Sequence, residues 1–376
     1  MKKLLLSALT VALAASFWNC GGEKKADSTA STGDNAEFKF ASDVKGKTLN
    51  ILCWEGYADK KFTKAFEDKY GVTVKGTYFG SSDELIAKLT AGGGEVYDLV
   101  TPSPDMAQAL VERDLVQPID LKRISAYDSL AEKLRAMQDV VKNGETYGVP
   151  FTWGPDYLVY NADVIKTEPK SWNEFFKPEY KGKVALWDDI SSLYLAGMLL
   201  GYDKPDKGGI YNMTEPQLAE VKKKLMQLKP QVRKYWVTAG ELDNLMKNKE
   251  VVLAVGWPLT PATLKKDGMN VKGLIPAEGA TGWIDRLMIT KNSPNKELAE
   301  AWIDYITRPE NMAKVGEVTN YSVAHPGARR FMSPELQEIT QMNNTDYYFE
   351  KLNFWQYVKN RKRYNEVWNE VKSGAM

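Results

Sequence analysis

The sequence predicts an α/β protein of more than one domain. Three observations predict it. The chain has 376 residues and a 43% hydrophobic composition, enough to bury a substantial core and long enough to favour two domains. Apolar strand-like runs alternate with amphipathic helical ones from about residue 48 onward. The strand-like runs are near-continuously apolar, as strands of a parallel sheet covered on both faces are.

In chain order, MKKLLLSALTVALAASFWNC presents two lysines, an apolar stretch of signal-peptide length and then Cys20. Residues 1–19 read as an export signal, and no later stretch approaches the roughly 20 apolar residues that a membrane span needs. Residues 20–47 are small, polar and charged, the composition of a tether. A cysteine placed so resembles the acylated cysteine of a bacterial lipoprotein signal. Phe17, Trp18 and Asn19 depart from the usual lipobox, and the rival reading is cleavage after Ala12-Leu13-Ala14 with Cys20 left free.

Folded structure is expected to start near Thr48. LNILCW reads as a strand, and DKKFTKAFEDKYG as a helix that presents Phe62, Phe66 and Tyr70 on one face and stops at Gly71. VTVKGTYF is a second strand. Ser81 and Glu84 have capping-box spacing before DELIAKLTA, which the glycines at 92–94 should end. VYDLVTPS is a third strand and PDMAQALVERD the helix after it. YGVPFTWGPDYLVYN mixes Gly and Pro with strand formers and suits a crossing between domains. Beyond it, VALWDD and VVLAVGW read as strands, LAEVKKKLMQLKP as a helix, GWIDRLMIT as a strand and NKELAEAWIDYIT as a helix closed by Arg308-Pro309.

Composition excludes several function classes. Lys and Arg number 50 against 49 Asp and Glu, so no long-range field attracts a polyanion and nucleic acid is not an expected partner. One histidine and two cysteines do not supply a zinc site of the usual kind. His325 in VAHPG reads as a loop residue and Cys53 lies within the first strand. No metal, cofactor or catalytic residue is assigned.

The positive signal is aromatic placement. In open parallel sheets ligands bind beyond the carboxyl ends of the strands. Trp54 and Tyr57 follow the first strand, and Ser103 and Asp105 follow the third. The chain holds 11 Trp; Trp54, Trp187, Trp257 and Trp283 end or follow apolar runs, with Glu55, Asp188-Asp189 and Asp285 beside three of them. Aromatic walls with spaced carboxylates suit a flexible organic cation, through ring faces and charge-assisted hydrogen bonds. They could instead stack on sugars, with the carboxylates as an acid/base pair. Asp188 and Asp189, if on a strand, point to opposite faces, so one of them should be structural.

From about residue 48 onward the chain resembles the periplasmic spermidine/putrescine-binding proteins of ABC importers. The resemblance rests on ILCWEGY, YDLVTPS, YGVPFTWG, WNEFFKPEYKGKVALWDD, GWIDRLMI and NYSVAHPGARRFMSPE. It implies a two-lobed periplasmic-binding-protein fold of type II, each lobe a mostly parallel sheet flanked by helices, with a ligand in the cleft between them. Residues 48–152 and 285–330 would form lobe 1, and residues 153–284 and 331–376 lobe 2. The resemblance places Trp54 and Tyr57 as first-lobe aromatics, Asp189 as an amine-binding carboxylate, Trp257 and Trp283 as walls for the methylene chain and Asp285 as the principal amine-binding aspartate. Tyr321 and Gln356 would be polar partners near the ligand ends. Ser192 stands where spermidine binders carry a second carboxylate, Asp105 where an aromatic is expected, and Asp156 where the family is often small or amide.

The implied function is an extracytoplasmic solute-binding protein, a monomer and not an enzyme. It would deliver a polyamine, putrescine ahead of spermidine, to an inner-membrane permease, with a lipid anchor at Cys20 as its only membrane attachment. The alternatives are another cationic or zwitterionic small solute on the same fold, or a secreted carbohydrate-active enzyme.

Overall fold

The computed structural model describes residues 38–91 and 95–374. The expected signal, Cys20, most of the tether and the glycines at 92–94 lie outside them. Folded structure starts earlier than Thr48: Phe38 and Val44 are buried, and the Arg123 guanidinium lies over the Phe38 ring, 4.3 Å from its centroid.

The strands, in chain order, are β1 (Thr48–Cys53), β2 (Thr73–Tyr78), β3 (Leu99–Val100), β4 (Val116–Gln117), β5 (Val141–Lys142), β6 (Glu145–Thr146), β7 (Val149–Pro155), β8 (Tyr157–Asn161), β9 (Val184–Trp187) and β10 (Val232–Trp236). They continue with β11 (Leu253–Gly256), β12 (Val271–Leu274), β13 (Ala280–Thr290), β14 (Ser322–Val323) and β15 (Leu352–Phe354). One sheet runs β14-β7-β13-β3-β1-β2, with β4 and β15 also on β13; a second runs β10-β9-β11-β8-β12. Strands β5 and β6 form a separate small hairpin whose turn residues, Asn143 and Gly144, take φ of 56° and 80°, as a tight two-residue hairpin turn requires.

In each sheet the strands joined through helices are parallel: β1 with β2 and β3, β9 with β10 and β11. The strands that carry the chain from one lobe to the other are antiparallel to most of their neighbours, β13 to β3, β4 and β7, and β8 to β11 and β12, while β15 runs parallel to β13. A strand arriving from the other lobe enters from the crevice side and so runs against those that end there. The crossings fall at Asp156, between Leu274 and Ala280, and between Phe354 and Arg361. The expected boundaries at 152/153, 284/285 and 330/331 are displaced accordingly. The last differs most, because Leu352–Phe354 still pair with β13 and only the helix Arg361–Ser373 joins lobe 2, through bonds such as Tyr364 Oη to Ile210 O at 2.9 Å.

The helices form as their sequences dictate. Asp59 caps the helix Lys60–Tyr70 by accepting from Lys61 N at 2.7 Å, and Gly71 ends it at φ 65°. Phe62 and Phe66 on its inner face pack against Trp302 of the helix Lys296–Ile306. His325 accepts from Gly327 N at 3.0 Å and caps the short helix Pro326–Phe331.

Candidate functional site

A cleft of about 160 Å³ lies between the two sheets. Strand ends build it from both sides: Trp54, Glu55 and Tyr57 follow β1, Phe79 follows β2 and Ser103 follows β3, while Trp187 closes β9 and Trp257 follows β11. Trp283 and Asp285 come from β13, with Tyr321 just before β14 and Trp355 just after β15. Parallel strands that end together bring sequence-distant residues to one rim. Gly56 makes the turn between Trp54 and Tyr57 possible: its φ is 90°, and an added Cβ would come 3.3 Å from Thr319 Cγ2.

The aromatic groups interlock across the two lobes. Trp54 of the first lobe meets Trp187 and Trp257 of the second edge-on, with ring centroids 6.2 and 6.1 Å apart. Trp187 is itself stacked against Trp236 and Trp355 at 5.9 and 5.8 Å. At the other end Trp283 packs edge-on to Tyr321 at 4.6 Å. Such edge contacts leave ring faces free for a ligand.

The segment Trp283-Ile284-Asp285-Arg286 shows how one strand serves site and core together. Side chains alternate along a strand, so Trp283 and Asp285 face the cleft. Arg286, on the opposite face, is fully buried and paired with Asp139 at 2.8 Å. Pairing between β13 and β7 shifts register next to Asp285, between Ile284 and Arg286, the kind of irregularity that re-aims a side chain. Gly154 lies opposite Trp283, and a Cβ there would be 2.7 Å from its ring.

Asp285 is the chemical centre of the cleft. Ser103 Oγ donates to its Oδ1 at 2.5 Å, and the Tyr57 hydroxyl donates to its Oδ2 while also bonding Thr152. Ser103 is the N-cap of the helix Pro104–Glu112 yet makes no side-chain cap bond; its hydroxyl serves Asp285 instead, forgoing roughly 1 kcal/mol of capping. Burial pushes the Asp285 pKa up to about 7 against the pull of these donors. Among the described residues no lysine or arginine pairs with it. A buried carboxylate supplied with donors but no cation is poised to take one.

The other acids are arranged differently. Asp105 is buried and holds the Arg361 guanidinium at 2.6 Å, with Ser82 Oγ donating to its second oxygen at 3.2 Å. Asp189 lies 3.9 Å from the same guanidinium and accepts from Ser191 N at 2.9 Å. Burial raises both pKa values, that of Asp189 to about 7, against the pull of Arg361. Asp156, also raised to about 7 by burial, accepts from Thr281 Oγ1 at 2.5 Å. The indoles of Trp355 and Trp257 further favour its ionised form, the Trp355 N–H from beyond hydrogen-bond distance. Asp188 takes the structural role of its pair, binding Trp368 Nε1 at 2.9 Å and Lys372 Nζ at 2.6 Å.

Of the residues singled out in the sequence, Trp54, Tyr57, Ser103, Trp257, Trp283, Asp285 and Tyr321 line the cleft together. Four do not. Asp105 and Asp189 are turned to Arg361; Ser192 donates to Trp187 O at 2.9 Å; and Gln356 lines a separate hollow with Tyr211 and Asn212. Trp355 and Arg361 were missed. No periodicity marks Trp355 in LNFWQY, and Arg361 stands in NRKRY, which reads as a solvated charge run. Among the described residues no cluster of three or more His, Cys, Asp or Glu side chains is placed to hold a metal ion, and no helix is long and apolar enough to cross a membrane.

Comparison with known proteins agrees with this architecture. Residues 61–344 match the family model of the bacterial extracellular solute-binding proteins. The spermidine/putrescine-binding periplasmic protein of Salmonella typhimurium is 28% identical over 77% of this chain and 81% of its own length. The putrescine-binding periplasmic protein SpuD of Pseudomonas aeruginosa is 25% identical over 89% and 94%. The crystal structure of the TpPotD lipoprotein of Treponema pallidum superposes with a TM-score of 0.74 at 23% identity, covering 86% of this chain and 99% of that one, a likeness of fold. A two-lobed α/β body, a cleft lined from both lobes and a family match across most of the chain lead to one conclusion: the chain belongs to the bacterial extracellular solute-binding proteins, and is a binding protein rather than an enzyme.

Proposed function

We propose that the protein captures a polyamine, putrescine in preference to spermidine, in the cleft between its lobes and delivers it to an inner-membrane ABC permease. The single observation that carries this reading is Asp285: a buried carboxylate with two hydroxyl donors and no protein cation, inside an aromatic cleft. An ammonium group there would neutralise it with a charge-assisted hydrogen bond. Trp54, Trp257 and Trp283 would cover the methylene chain, each cation–π contact adding about 0.5–2 kcal/mol where water is excluded. Relatives named for spermidine and putrescine support the amine class. The pairing of Asp105 and Asp189 with Arg361 supports the shorter ligand. The protein would act as a monomer, held to the membrane by an acyl chain on Cys20.

Titrating putrescine while following tryptophan fluorescence tests this. Saturable binding is expected for the native protein, and Asp285→Asn should weaken it by about a hundredfold or more, since a desolvated charge pair is worth roughly 2–5 kcal/mol when one partner is removed. Unchanged affinity in that variant would exclude an ammonium at Asp285.

A further inference from the structure

Arg361 is the first residue of the helix Arg361–Ser373, which bonds to lobe 2 through Tyr364 and Trp368. Its side chain nevertheless reaches the first lobe. Nη1 lies 2.6 Å from Asp105 and Nε 2.9 Å from Asp83, acids in the first turns of the helices Pro104–Glu112 and Ser82–Ala91. Nη2 is 3.9 Å from Asp189 of its own lobe. Asp105 and Asp189 are each about 1% exposed, so this is a desolvated cation among three carboxylates. It adjoins the cleft: Asp105 is two residues beyond Ser103, Asp189 two beyond Trp187, and both Ser103 and Trp187 line it. The field of Asp105 is felt at Asp285.

The buried acids next to the cleft thus divide into two sets. Asp285 and Asp156 lack a cation, whereas Asp105 and Asp189 already have one. From this division we infer that Arg361 is a specificity-determining residue: a resident cation that fills the acidic end of the site and excludes a ligand's additional ammonium group. A ligand ammonium approaching Asp105 or Asp189 would meet a like charge in a medium that screens it poorly. The site therefore accepts a short diamine anchored at Asp285 and discriminates against a longer polyamine whose further ammonium would extend toward Arg361. This inference rests on the amine-binding reading and names the residue that sets its length limit.

The test is calorimetric titration of putrescine and spermidine into the native protein and three variants. Arg361→Gln should raise the spermidine-to-putrescine affinity ratio by about tenfold or more, because it exchanges a repulsive charge for free buried carboxylates. Arg361→Lys keeps the charge and should keep the native ratio. Arg361→Gln leaves buried acids unpaired, which can unfold a domain, so Arg361→Gln with Asp105→Asn removes one of them and should give the same gain through Asp189. If putrescine binds the native protein but neither glutamine variant changes the ratio, the inference is overturned while the amine reading stands. If no amine binds the native protein, both fall.

Discussion

At the scale of single residues the site is a matter of which carboxylate has a cation and which has none. Asp285 has only hydroxyl donors, and burial holds its pKa near 7 in the unliganded protein. A bound ammonium would favour the ionised form and lower that pKa, so binding should release a proton. The sign follows: affinity rises with pH up to about 7 and levels off above it, and at pH 5 it should be about a hundredfold weaker than on the plateau, one decade per pH unit for one linked proton. Calorimetry of putrescine binding from pH 5 to 8 measures this, and a flat profile would count against a titrating Asp285. Trp54 was legible in the sequence because it follows an apolar run, whereas Trp283 and Asp285 lie within β13 and were marked by the family resemblance. Asp105 and Asp189 were legible as acids in the right region but not as partners of Arg361. That cation comes from more than 170 residues away in the chain and, for Asp105, from the other lobe.

At the scale of elements, β13 carries both the cleft and the core, and its neighbour β7 is fitted to it. Gly154 leaves room for Trp283, with 2.7 Å between the ring and the position a Cβ would take. Gly154→Ala should cost about 1–3 kcal/mol of stability, the usual range for overpacking, read as a lower urea midpoint with an unchanged slope. It should also weaken amine binding by displacing Trp283; a variant with native stability would show that β7 yields easily there. Apolar runs located β1, β2, β9, β11 and β13, and an aromatic face closed by Gly71 located the helix Lys60–Tyr70. The antiparallel neighbours of β13 could not be read, because a strand buried on both faces looks the same in either direction. The late crossing after Phe354 was hidden for a related reason: β15 is three residues long, too short to show a period.

At the scale of the whole molecule, two lobes present complementary halves of one site. The first supplies Asp285 with its hydroxyl donors, Trp54 and Trp283, the second supplies Trp187 and Trp257, and Trp54 and Arg361 are where the halves touch. Lysine and arginine nearly balance aspartate and glutamate, so affinity has to come from this local desolvated geometry rather than from a long-range field. Lobe closure around a ligand would complete the wall and exclude water, strengthening the pairing at Asp285. Charge, rather than shape alone, is the central claim. The most direct measurement compares putrescine with butane-1,4-diol, which has the same chain length but no charge, by calorimetric titration of the purified protein at pH 8. The account predicts saturable one-to-one binding of the diamine and no measurable binding of the diol; equal binding of the two, or binding of neither, would contradict it.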